Sequence, residues 1–277
     1  MARIIKRWPV TRLSTTGTPD TRADQLAGEE PLEVRVEGAA FSVTMRTPGD
    51  DVDLVAGFLV SEGVVWHADH LDRMRYTGVD TRGRRDDNVL DVALATGVAP
   101  PDASMARNVY TTSSCGVCGT ASIEAVRKTS AFAATGDAAT IGLAHLSALP
   151  DRLLAGQKVF GRTGGVHAAA LFALAGAHEP ELLCIREDVG RHNAVDKVVG
   201  WALREGRLPL RGTVLQVSGR ASFELVQKAA MAGIPILSAV SAPSALAVEL
   251  GDELGLTVIG FNRGGRLNVY TGSDRVV

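Results

Sequence analysis

The chain reads as an α/β protein, with a three-layer C-terminal part joined to a smaller, β-rich N-terminal portion. Two patterns predict this. Up to Leu94 short runs alternate apolar with polar residues, as half-buried strands do. After about residue 158, helical periodicity and apolar strand-like runs succeed one another. Apolar strands set between helices imply a mostly parallel sheet covered by helices on both faces.

Residues 14–30 are polar and rich in Thr, Gly and Asp, so residues 1–30 are expected to form a loose leader. Leu32–Val36 and Phe41–Met45 alternate strictly and flank Gly38-Ala39, which predicts a β-hairpin. Leu54, Val55, Phe58 and Leu59 follow helical spacing within Asp51–Val65. Met74–Gly78 and Val89–Leu94 read as strands on either side of the charged loop Asp80–Asp87. Residues 97–118 lack regular period and end in two cysteines, Cys115 and Cys118, after which Thr120–Ser130 is expected to be helical. Alanine-rich residues 131–157 show little pattern. The helices expected beyond them are Val166–Leu174, Asn193–Arg204, Phe223–Ala232 and Ser244–Leu254. The strands are Leu182–Ile185, Thr213–Val217, Ile234–Val240, Leu256–Phe261 and Leu267–Tyr270. This divides the chain into the leader, a β-rich portion with the cysteine loop and its helix at 31–130, and an α/β domain at 131–277.

With 277 residues, of which 45% are hydrophobic and 22% charged, the chain can bury a large core without disulfide or metal staples. Its 29 basic and 31 acidic residues leave a formal charge of −2, which argues against a chain-wide nucleic-acid or membrane-surface footprint. Ile236–Val248, interrupted by Pro243, is too short and too polar to span a bilayer, which takes about 20 apolar residues. The N-terminal MARIIKRWPV lacks the apolar core of a secretory signal, so a cytoplasmic protein is expected.

Three cysteines are an odd number, which disfavours a disulfide framework. Cys184 falls inside an apolar strand and is expected to be a buried, inert thiol. Cys115 and Cys118, separated by two residues, could share a metal, cycle through a disulfide, or carry sulfur. A structural zinc needs four ligands, and no second Cys-x-x-Cys exists to supply them. Ser113-Ser114 can cap the helix that follows the pair, and a helix N-terminus stabilises thiolate. Gly116 and Gly119 permit a tight turn that exposes the sulfurs. A nucleophilic thiol pair results, suited to disulfide exchange or to persulfide formation. Against a thioredoxin-type oxidoreductase, the pair follows irregular sequence instead of a strand end.

The cysteine segment SSCGVCGTASIE (from Ser113) is followed by RTGGVHAAALF (from Arg162), REDVGRHNAVDKVVG (from Arg186), VSGRASFELVQKAAMAGIPILSAVSAPSALAV (from Val217) and GFNRGGRLNVYT (from Gly260). These five motifs, in this order, resemble the formate dehydrogenase accessory sulfurtransferase family over nearly the whole chain after about residue 30. The resemblance implies a cytoplasmic sulfur carrier with a cytidine-deaminase-like α/β domain that binds a cofactor. Such a carrier takes sulfur from a cysteine desulfurase and passes it to the molybdenum bis-(molybdopterin guanine dinucleotide) cofactor for the formate dehydrogenase catalytic subunit. Cys115 would form the persulfide, with Cys118 as its partner. The cofactor-binding stretch would be Phe261, Asn262, Arg263, Gly264, Gly265 and Arg266, with guanosine diphosphate as a partial mimic of the client. A homodimer, without intrinsic metal, nucleic acid or membrane, is also implied. A thiol–disulfide oxidoreductase and a cofactor chaperone that moves no sulfur are the alternative functions.

On its own residues the last motif reads either as a glycine hairpin with solvated arginines or as a ligand site, and the resemblance favours the second. It closes a strand whose carboxyl end is where open α/β sheets bind ligands, and two glycines between arginines let backbone and guanidinium approach a diphosphate. A zinc deaminase needs H-x-E and P-C-x-x-C. The segment His167-Ala168-Ala169, expected to begin a helix, lacks that glutamate, so deaminase chemistry is not expected. Asp188, Arg191, His192 and Asp196 form a polar cluster that could cap a helix or contact nucleotide or a partner subunit. Ser218-Gly219-Arg220 could bind an anion at the next helix start.

Overall fold

The computed structural model describes residues 4–79, 81–102, 130–132, 136–174 and 178–277. It opens with an antiparallel ribbon, β1 (Ile5–Arg12) and β2 (Asp20–Ala27), in register from Ile5↔Ala27 to Arg12↔Asp20. The loose leader expected over residues 1–30 is thus a ladder across most of its length. Its strands are mostly exposed and mix apolar with polar residues without strict alternation, so they carry no period to read.

Next come β3 (Glu30–Val36) and β4 (Ala39–Arg46), whose hairpin turns at Glu37-Gly38, both with positive φ (52° and 77°), one residue earlier than expected. Two left-handed residues match the twist of a two-residue hairpin. The helix α1 (Asp51–Ser61) stops short of Val65. Gly63 (φ 77°) donates to the Val60 carbonyl and Val64 to that of Leu59, a glycine-closed helix end. The strands β5 (Leu71–Val79) and β6 (Arg85–Leu94) complete a sheet of order β4-β3-β6-β5, with β3 and β6 parallel. The helix expected over Thr120–Ser130 lies almost wholly outside the described residues.

Residues 131–157, which look patternless, contain the helix α2 (Leu143–Gly156). Leu146, Leu149 and Leu153 line one face at 0–1% exposure, and Pro150 within the helix obscures the signal. A short helix α3 (Phe160–Thr163) precedes β7 (His167–Ala173), where a helix was expected. His-Ala-Ala-Ala-Leu-Phe-Ala is apolar on both faces, so periodicity cannot separate strand from helix. Ala168, Ala170 and Phe172 enter one core cluster, Ala169 and Leu171 the other.

The remaining elements are β8 (Glu181–Asp188), α4 (Arg191–Arg204), β9 (Thr213–Val217), α5 (Phe223–Met231), β10 (Ile236–Ala239), α6 (Ala245–Glu253), β11 (Thr257–Arg263) and β12 (Arg266–Thr271). They follow the expected elements within a few residues. The sheet order is β12-β11-β10-β9-β7-β8, but the sheet is mixed instead of mostly parallel. Only β9–β10 and β10–β11 are parallel pairs; β7 runs against both β8 and β9, and β12 against β11. The misread strand accounts for this, because β7 and β8 join as a hairpin without a crossover helix.

The layered α/β architecture stands. α2 covers one sheet face, with Ile141, Phe172, Val214, Ile236 and Ile259. α4 and α5 cover the other, and α1 packs on α4 within the core that continues into the four-stranded sheet. The α1–α4 crossing is backbone against backbone. A Cβ at Gly57 would lie 1.9 Å from the Asp196 carbonyl oxygen, and one at Gly200 1.8 Å from that of Asp53. Fully buried Arg46 secures the small sheet, with Nε and Nη2 on Asp51 at 3.0 and 2.9 Å and further bonds to the Glu30 and Asp87 carbonyls.

Candidate functional site at the carboxyl edge of the mixed sheet

Because β7 is antiparallel to β9, its first residue emerges at the edge where β8, β9, β10 and β11 end. His167, Val189, Ser218, Val240 and Arg263 converge there on a cavity of about 500 Å³. Pro150, Asp151, Leu153, Leu154 and Gln157 of α2 and its end form a second wall, and Phe160, Gly164, Gly165 and Val166 a third. This is the size and apolar character of a small-molecule site, at the sheet edge where α/β proteins bind ligands.

Buried ionic contacts hold the elements that frame it. Asp188, at the end of β8, is fully buried. Its Oδ1 accepts from the Gly190 N–H (2.8 Å) and Asn193 Nδ2 (3.0 Å), and its Oδ2 from the Thr47 N–H (3.1 Å) and Lys197 Nζ (2.8 Å). Burial pushes the Asp188 carboxyl pKa up, against the pull of Lys197 and these donors. Lys197 also donates to the Thr47 carbonyl at 2.9 Å, so β4, β8 and α4 meet on one ion pair. Glu187 accepts from the Val159 and Phe160 N–H groups, both at 2.8 Å, fixing the start of α3 below the cavity. Arg162 of α3 bonds Gln25 of the ribbon at 2.7 Å.

The polar cluster read from the sequence separates into three roles. Asp188 is the pin just described. Asp196 accepts from Ser61 Oγ and Lys228 Nζ, both at 2.7 Å, joining α4 to α1 and α5. His192, at the start of α4, meets Glu224 at 3.0 Å beside Ser222. Burial would raise the Glu224 pKa, but the hydrogen bond and charge of His192 outweigh it and bring the carboxyl down to about 2. His167, half-buried on strand β7 and not at a helix start, is held below the usual imidazole range by burial, then by the charges of Arg191 and His192. It therefore faces the cavity as a neutral ring. Ser218 Oγ accepts from the Ala168 N–H at 2.9 Å and also lines the cavity.

Cys115 and Cys118 lie outside the described residues. Cys184 is 5% exposed on β8, and burial pushes its thiol up to about 12, so it stays protonated at neutral pH. The stretch Phe261–Arg266 forms the end of β11 and its turn into β12. Gly264 and Gly265 (φ 57° and 74°) make the two-residue turn and are exposed, with open space where a Cβ would stand. Arg263 and Arg266 pair across that turn, and Arg263 lines the cavity. Phe261 takes φ 54° at an irregularity in the pairing of β11 with β12, its N–H on the Ser241 carbonyl at 3.2 Å. Asn262 is fully buried. Its Nδ2 donates to the Leu146 carbonyl (2.8 Å) and Ser238 Oγ (3.0 Å), which ties β11 to α2.

The structure thus brings Arg263 together with His167 and Ser218, and adds Asp151 and Gln157 from a helix the sequence did not disclose. The leucine spacing 146, 149, 153 was the signal that could have found that helix.

The molecule is by class a mixed-sheet, three-layer α/β protein with an apolar cavity at the carboxyl ends of its strands. The FdhD/NarQ family profile matches residues 27–277, and the chain belongs to that family. It is 58% identical to the sulfur carrier protein FdhD of Mycobacterium tuberculosis, over 92% of this chain and 93% of that protein. The proteins of the same name from Streptomyces avermitilis and Sulfolobus acidocaldarius are 57% and 41% identical, over 100% and 91% of this chain and 97% and 91% of theirs. The crystal structure of a candidate formate dehydrogenase accessory protein from Desulfotalea psychrophila superposes with a TM-score of 0.76 at 22% identity. It covers 99% of this chain and 100% of the other, a likeness of fold.

Proposed function

We propose that the protein is a cytoplasmic sulfur carrier that serves formate dehydrogenase. Cys115 takes sulfur from a cysteine desulfurase and delivers it to the molybdenum bis-(molybdopterin guanine dinucleotide) cofactor. The observation that supports this most is the family membership of a chain that holds the Cys115/Cys118 pair: its relatives carry the name sulfur carrier protein. The Cys115 thiolate attacks the terminal sulfur of the donor's persulfide. The new S–S bond forms as the donor's own S–S bond breaks, and the donor cysteine leaves as thiolate. Attack of the Cys118 thiolate on the Cys115 sulfur then frees hydrosulfide and leaves a Cys115–Cys118 disulfide, so two electrons accompany the sulfur.

The cavity suits the client. A guanine dinucleotide offers a planar base for apolar walls and a diphosphate for a guanidinium. Arg263, the one formal cation among the described lining residues, has no ion-pair partner among the described residues. The open Gly264-Gly265 backbone lies beside it. Asn262 would act from within the wall, by fixing the strand that presents Arg263.

Incubation with a cysteine desulfurase and cysteine, followed by mass spectrometry of the Cys115 peptide, is expected to show one added sulfur. Cys115→Ala should abolish formate dehydrogenase maturation. A maturation-competent Cys115→Ala chain would overturn the reading in favour of a passive chaperone.

A further inference from the structure

The wall of the cavity that lies between α2 and β7 is built unlike the other two. Lys158, Phe160, Gly161, Arg162, Gly164 and Gly165 are exposed. None of residues 158–165 belongs to either hydrophobic core cluster. The backbone bonds of this segment stay local, from the Gly161 N–H to the Gln157 carbonyl (3.1 Å) and from the Gly164 N–H to that of Phe160 (2.7 Å). Among the described residues, the hydrogen bonds that tie it to the rest of the protein end on two side chains. Glu187 accepts from the Val159 and Phe160 N–H groups, both at 2.8 Å. Gln25 Oε1 accepts from Arg162 Nε and Nη2, at 3.0 and 2.7 Å.

The two anchors differ in strength. Gln25 stands on the ribbon, a separate two-stranded sheet whose strands are mostly exposed. Glu187 stands in the six-stranded sheet, opposite Ala168 in the β7–β8 ladder, and its carbonyl takes Lys197 Nζ at 3.3 Å beside the Asp188 ion pair. Its carboxylate meets the N–H groups at the start of α3, which no helical carbonyl can reach. Bonds to an ionised acceptor are also about twice as strong as neutral ones. At the far end of the segment Gly164 (φ 64°) and Gly165 lead into β7, and glycine backbone takes up new angles without a steric clash.

We infer that residues 158–165 form the movable wall of this cavity and that Glu187 is the positioning residue that latches it shut. Phe160, Gly164 and Gly165 line the cavity, so a swing about Gly164-Gly165 opens a path for a ligand and the return swing restores the wall. The segment can move as a unit, because its internal bonds are local and its release disturbs no core packing. The inference rests on the reading of the cavity as the client's site, and it adds the part of that site that governs entry and release.

The test follows release of guanosine diphosphate carrying a fluorescent ribose label, chased from the full chain by unlabelled nucleotide in stopped flow. Glu187→Gln removes the charge and sets an amide donor against one of the two N–H groups. It is expected to speed release roughly tenfold and to leave the urea midpoint at the wild-type value, because the segment lies outside both cores. Hydrogen exchange gives the second readout. Nucleotide should slow the amides of residues 158–165 in wild type, and Glu187→Gln should speed those of Val159 and Phe160 in the free protein. Gln25→Ala, which frees Arg162 without touching the six-stranded sheet, should also speed release, and it carries the test if Glu187→Gln folds poorly. Release from a folded Glu187→Gln chain at the wild-type rate overturns the latch. Exchange over residues 158–165 that is blind to nucleotide overturns the movable wall. Wild type that does not bind the nucleotide overturns the cavity reading with it, whereas the persulfide on Cys115 is scored independently.

Discussion

Replacing Gly57 with alanine tests the backbone-to-backbone crossing of α1 and α4. The new Cβ would stand 1.9 Å from the Asp196 carbonyl oxygen and 2.7 Å from the Gly200 nitrogen, both backbone atoms of α4. No rotamer change relieves a clash with backbone. Ordinary contact begins near 3.4 Å, so the two helices must separate by roughly 1.5 Å at the crossing. That displacement loosens Leu54, Val55, Val195 and Val199, all at 0–2% exposure, around it. It also strains the Ser61–Asp196 bond at 2.7 Å. Overpacking of well-filled cores costs about 1–3 kcal/mol and sometimes more. Alanine in an exposed helix would instead gain up to about 1 kcal/mol over glycine. A net loss of about 3 kcal/mol is expected here, which lowers the thermal midpoint by about 6–12 °C for a chain of this size. Urea denaturation with the slope held common to both proteins measures it. Gly161→Ala is the control: its Cβ would meet nothing within 4 Å, so stability should stay level or rise slightly. If Gly57→Ala matches that control, the backbone-to-backbone crossing is not the constraint argued here.

Two further outcomes follow from the buried charges. Lys197→Met strands the Asp188 carboxylate at 0% exposure and should cost about 3–5 kcal/mol in urea unfolding, whereas the Asp188→Asn/Lys197→Met double variant should recover part of that loss. A double-variant loss equal to the sum of the two single-variant losses would show the pair to be uncoupled. Glu224 has its folded pKa lowered to about 2 against 4.5 when free, so its contribution is present above pH 4.5 and is lost as pH falls toward 2. The stability difference between wild type and Glu224→Gln should therefore shrink across that window. A difference constant from pH 5 to pH 2 would refute the His192–Glu224 contact as its source.

Much of this was legible from residue order alone. Alternation at Leu32–Val36 and Phe41–Met45 specifies a hairpin, because a period of two puts every apolar side chain on one face. The α4–β9–α5–β10–α6–β11 succession declares a layered α/β domain through its change of period, and the five motifs locate the family. The Arg263-Gly264-Gly265-Arg266 turn could be read from its glycines, since two consecutive left-handed residues suit them best. Other features depended on contacts distant in sequence. Burial on both faces erases the period of β7 and hides the strand, and its pairing against β8 and β9 carries His167 to the same edge as Arg263. The ribbon at residues 5–27 is held by backbone pairing that its unpatterned, mostly exposed side chains do not announce. Asn262 acquires its role only when α2 closes over the sheet, because the partner of its buried amide, the Leu146 carbonyl, is supplied by the fold and not by the residues around it in sequence.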